Sequence, residues 1–102
     1  MLMLVAMNAR GQWVQTSGPD GARVNCLAVS GTNLFVGTWG GGVFLSTNNG
    51  SSWTAVNNEL TDLHVFSLAV SGTNIFAGTA DGGVFLSTNN GTNWTAVNNG
   101  LT

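Results

Sequence analysis

The chain has 102 residues, the length of about one modest domain, with 6% charged side chains, two of its residues basic and a net charge of −2. Two arginines give counterion release almost nothing to act through, so nucleic acid and anionic membranes are excluded as partners. No apolar run approaches the roughly 18 residues of a spanning helix, and Gly, Asn, Thr and Ser fill the polar positions in place of charges.

The opening MLMLVAMNA has an apolar core and a small-residue end like a secretion signal, but it is short and has no basic start. Self-comparison gives it a better reading. Residues 30–58, SGTNLFVGTWGGGVFLSTNNGSSWTAVNN, recur at 71–99 as SGTNIFAGTADGGVFLSTNNGTNWTAVNN, 41 residues later with six differences. Extended upstream, the register sets Trp13 opposite Trp53 and lays LVAMNARGQW on FLSTNNGSSW, so the start of the chain is a worn copy of a strand and turn. The expected organisation is a partial blade over 1–22, a blade over 23–63 and a blade over 64–102, in one domain.

Next along the chain is Cys26, which has no partner for a bridge and is matched by Ser67 one repeat later. It reads as a small side chain packed in a strand. Each full period then holds four short apolar runs, which in the second copy are VFSLAVS, NIFAGT, GVFLST and WTAV, here called strands A to D. Turn signals of Gly, Asn and Asp part them, which predicts an antiparallel meander and excludes helix. NLFV and GVFL carry apolar residues at odd and even positions alike, so both faces of each sheet need cover. A sheet of some forty residues cannot cover two faces alone. The predicted fold is therefore all-β, built of propeller blades stacked around an axis, about two and a half per chain, with a β-solenoid as the alternative.

Between strands C and D stand STNNGSSW (46–53) and STNNGTNW (87–94). Asn48 and Asn89 can close the turn by accepting amides one or two residues onward, and Asn49-Gly50 and Asn90-Gly91 are hairpin pairs that tolerate positive φ. Trp53 and Trp94 open strand D, placed to pack under the turn and across a blade interface. Asn8 and Trp13 hold the matching places in the worn copy. No carboxylate stands in any copy, which counts against a calcium loop. These octapeptides resemble the Asp-box, or bacterial neuraminidase repeat, Ser-x-Asp-x-Gly-x-Thr-Trp, and the preceding LFVGTWGGGVFLS and IFAGTADGGVFLS resemble blades of sortilin-like and photosystem-assembly-factor-like bacterial propellers. The sequence departs from that pattern in having Asn at Asn48 and Asn89 and in its displaced first copy. The resemblance implies a structural box lying away from any active centre.

Ligands of propellers meet the D-to-A and B-to-C connections, so the informative residues are those that break the repeat there. Trp39 stands where the next copy has Ala80, Asp81 where the first has Gly40, and Arg23 aligns with His64. Trp39 beside glycines can serve as a stacking platform for a sugar, with Asp81, Arg23 and His64 as polar contacts, or it can fill space between blades. The sialidase chemistry of the resembling family requires an arginine cluster and a tyrosine, and this chain has no tyrosine. Glu59 and Asp62 sit in one loop, a weak basis for paired-acid hydrolysis. No enzyme activity, cofactor or metal is expected. The expected function is a non-enzymatic binding or scaffold module for carbohydrate or protein in an exported setting, with a ligand-free assembly unit second and a glycoside hydrolase a distant third. Because two and a half blades leave apolar faces open, the expected partner is the chain itself in a homo-oligomeric ring, unless the chain is a piece of a longer protein.

Overall fold

Glycine and asparagine interrupt the apolar runs before a helix could form, and among the described residues the regular elements are all short strands. The structure, a computed structural model, describes residues 3–7, 13–17 and 23–101. Strands β1 (Met3–Met7) and β2 (Trp13–Ser17) pair antiparallel, with Met7 opposite Trp13. Asn8, expected to close the turn between them, lies outside the described residues. Two four-stranded antiparallel meanders follow. The first runs β3 (Val24–Ser30), β4 (Asn33–Thr38), β5 (Gly42–Ser46) and β6 (Thr54–Ala55). The second runs β7 (Val65–Ser71), β8 (Asn74–Thr79), β9 (Val84–Ser87) and β10 (Thr95–Ala96). We call them blade 1 and blade 2.

The innermost strand of each blade carries a bulge at the same repeat position, at Asn25 between Val24 and Cys26 and at Phe66 between Val65 and Ser67. A bulge re-aims one side chain and strengthens the local twist. The outermost strands are shorter than the expected WTAV. In blade 2 the reason is visible, because Trp94 sends its backbone N–H out of the sheet to Asn58 O of blade 1, at 3.1 Å.

Strand β4 explains why these sheets need neighbours. Phe35 points into the core shared with blade 2, while Leu34 and Val36 on the opposite face are buried as well. Phe35, Val43 and Leu60 of blade 1 meet Val65, Ile75, Ala77, Phe85 and Trp94 of blade 2, with Cys26, Ala28 and Val56 packed around them. Gly37 lets the blades close, since a Cβ there would stand 2.5 Å from Cys26 Sγ and 2.6 Å from Val65 Cγ1. Burial in this seam pushes the Cys26 thiol above its ordinary range, as befits a packing residue rather than a nucleophile.

The far face of blade 2 repeats the residues of that seam, and no described strand covers it. Phe35 and Val43, fully buried, become Phe76 and Val84, only partly buried, and Leu60 at 4% exposure becomes Leu101 at 57%. The same apolar pattern thus appears twice, once between sheets and once in solvent.

Candidate functional site

Two ends of the blades are built differently. At one end the C-to-D loops are closed by side chains. Asn48 Oδ1 accepts the Ser46 hydroxyl at 2.9 Å and the Ser52 amide at 3.0 Å, while Ser46 Oγ accepts the Gly50 amide at 2.8 Å. Asn89 repeats this with Ser87 at 2.9 Å and the Asn93 amide at 3.0 Å, and Gly91 N–H meets Ser87 Oγ at 2.8 Å. The accepted amide lies four residues onward, not one or two, because Asn49 and Asn90 (φ 61° and 59°) and the glycines after them turn the chain back through positive φ first. Both lone pairs of each Oδ1 are used inside the loop. The Asn48 amide also donates to Ser52 Oγ at 2.9 Å, a direction of bonding closed to an aspartate, which could only accept the hydroxyl.

Trp94 carries the far end of its loop across the seam. Its indole N–H donates to Val56 O at 2.7 Å, and Asn93 Nδ2 donates to Glu59 Oε1 at 2.9 Å. Glu59 is held at φ 67°, where the next repeat has Gly100 at φ 85°. Trp53, at the matching place in blade 1, is partly buried.

At the opposite end the B-to-C loops meet the segment that leads into the next blade. Asn57 clamps its loop from below, accepting Val43 N–H at 2.7 Å and donating to Gly41 O at 2.9 Å. Asn98 does the same with Val84 N–H and Gly82 O, both at 2.8 Å. A Cβ on Gly42 or Gly83 would run into these amides, and both glycines have positive φ. Sequence reasoning missed Asn57 and Asn98, although the repeated Val-Asn-Asn after strand D was the available signal.

Between the blades, Leu63 O accepts both Gly40 N–H and Gly42 N–H at 2.9 Å, and Trp39 forms an isolated antiparallel bridge with His64. The Trp39 ring lies 4.6 Å from His64, edge to face, and 5.0 Å from Phe66, tilted. Arg23 is next to this pair through its backbone, its carbonyl accepting Trp39 N–H at 3.0 Å. Asp81 stands in the B-to-C loop of blade 2 and donates its N–H to Asp62 Oδ2 at 2.7 Å. Trp39, His64, Arg23 and Asp81 therefore lie along one rim, and Phe66 and Asp62 join them. Trp39 is 41% exposed.

Asp62 organises the rim electrostatically. Its carboxylate accepts the His64 and Gly82 amides at 3.0 and 2.9 Å in addition to that of Asp81, and His64 Nδ1 lies 3.4 Å away. The His64 amide first, then that of Asp81, hold its pKa down at about 2. A carboxylate lowered in the folded state stabilises that state above the unfolded value near 4, and the contribution is lost as pH falls toward 2. We expect thermal melts of the wild type to lose stability between about pH 5 and pH 2, and those of Asp62→Asn to start lower at pH 7 and decline less across that window. Parallel melting curves for the two proteins would contradict this role.

A family model described as the DUF6242 beta propeller domain matches residues 2–101. Comparison with curated proteins finds no match.

Proposed function

The chain belongs to the DUF6242 beta propeller domain family, and from that premise we propose that it acts as a non-catalytic scaffold and binding module, whose open blade face takes up a blade from a second copy and whose rim offers the binding surface. The observation that carries this reading is Leu101, exposed at 57% where its repeat partner Leu60 is covered at 4%. One face of this composition already holds a neighbouring blade within the chain, so the second copy of that face is matched to the same kind of neighbour. Exposed Val97 and Leu101 together with Phe76 and Val84 make an apolar surface of the sort that soluble monomers rarely leave open.

The chemistry of the acidic groups favours a role without catalysis. Asp62 is committed to three backbone amides, and Glu59 accepts Asn93 across the seam, so both serve the loops that carry them. The C-to-D loops resemble Asp-box blades in the Ser46–Trp53 and Ser87–Trp94 stretches, a box that serves there as a structural staple.

Sedimentation or light scattering across micromolar concentrations tests the association. The wild type is expected to exceed the mass of one chain, and Leu101→Glu, which places a charge on the open face, to weaken association by about tenfold or more. A folded wild type that stays a single chain throughout that range overturns the self-association.

A further inference from the structure

The two full repeats are close copies, and where they differ is informative. Between residues 23–58 and 64–99 nine positions differ. Five of these are modest exchanges: Cys26 for Ser67, Leu34 for Ile75, Val36 for Ala77, Ser51 for Thr92 and Ser52 for Asn93. The remaining four change the character of the side chain, and they pair Arg23 with His64, Asn25 with Phe66, Trp39 with Ala80 and Gly40 with Asp81. All four fall at the same end of the blades, where the B-to-C loops meet the start of strand A. Among the residues they introduce, Trp39 of blade 1 meets both His64 and Phe66 across the junction with blade 2.

We propose that Trp39, Phe66 and His64 form a carbohydrate-binding corner that takes a pyranose ring. The proposal rests on reading the chain as a binding module and adds the ligand class and the residues. Packing against one another leaves both rings accessible, since Phe66, on the bulge of β7, is 56% exposed and Trp39 is 41% exposed. Trp39 rests on a loop fixed by Leu63 O and Asn57, so the backbone that carries it is set before any ligand arrives. Gly40 beside it leaves room, since a Cβ there would find only His64 Nε2, at 3.9 Å. A pyranose presents a C–H face to an aromatic ring and a rim of hydroxyls to polar groups. His64, with 46% of its side chain exposed, and the exposed Asp81 and Arg23 stand on the same rim as hydrogen-bonding groups of both kinds. Asp62, occupied by backbone amides, positions the loop of blade 2 and leaves contact with ligand to the others.

The repeat itself supplies variants compatible with folding. Trp39→Ala installs the residue that blade 2 has at that place, and Phe66→Asn the residue that blade 1 has at its bulge. The test is binding of the whole chain to immobilised neutral hexose and N-acetylhexosamine oligosaccharides, followed by titration of any hit in solution, with thermal melts of each variant alongside. The wild type is expected to bind at least one oligosaccharide, and each variant to bind about tenfold more weakly with an unchanged melt. If no member of the panel binds, or if a hit is bound equally by both variants, the proposal is overturned. Self-association is read separately by mass, so a chain that assembles but ignores every saccharide removes the corner and leaves the scaffold standing.

Discussion

Trp94→Ala is expected to lower the unfolding free energy by about 4 kcal/mol, the middle of the range for deleting a large buried aromatic ring. The ring is 2% exposed and sits in the seam core with Phe35, Val43 and Leu60. Its loss opens a cavity between the blades and leaves Val56 O without the indole donor it now has at 2.7 Å. Because a domain of this size has roughly 5–15 kcal/mol in total, the variant sits near the edge of folding. Trp94→Phe separates the two contributions, keeping most of the ring volume while removing the N–H, and is expected to cost about 1–2 kcal/mol from the unpaired carbonyl. Urea titration by circular dichroism measures both. If the alanine variant melts with the wild type, the seam is not what holds the blades together.

The second large effect concerns spacing rather than filling. Gly37→Ala is expected to cost about 3 kcal/mol, the upper end for overpacking, because the added methyl would meet Cys26 Sγ from its own blade and Val65 from the next. Neither can retreat easily, since Val65 is fully buried and Cys26 lies in a paired strand. Gly78→Ala is the built-in comparison. Its Cβ would come within 2.5 Å of Ser67 Oγ alone, a hydroxyl that can rotate away, and the neighbouring face is open. A cost of about 1 kcal/mol is expected there. Equal losses at the two glycines would contradict the close approach of blade 2 as the cause, and adding Val65→Ala to Gly37→Ala should recover part of the loss if that approach is real.

The parts of this fold that could be read from residue order are the local ones. Turns at Asn49-Gly50 and Asn90-Gly91 follow from the φ tolerance of two adjacent residues, and both pairs adopt positive φ. Apolar residues on both faces of NLFV implied a neighbour on each side, and Leu34, Phe35 and Val36 are all buried. The rim was legible only in part. Trp39, Asp81, Arg23 and His64 stand out as breaks in the repeat, but Phe66 looked like one more strand residue because its bulge is a property of pairing with β8. Asp62 was hidden for a related reason. Its value lies in three amides separated from it by two, 19 and 20 positions along the chain, a convergence made by the meander and not by spacing. Strand D was overestimated since Trp94 gives its N–H to Asn58 in the other blade, a competition that no propensity records.

Each blade fastens itself at one end, through Asn48 or Asn89, and varies most at the other, and its first three strands, of four to seven residues, put about 15–20 Å between the two. Perturbations that far apart, with no shared partner, sum independently. Drift in recognition at the rim therefore need not tax foldability at the fastened end, so successive duplications of one robust unit can diverge in what they touch while remaining interchangeable in how they stand.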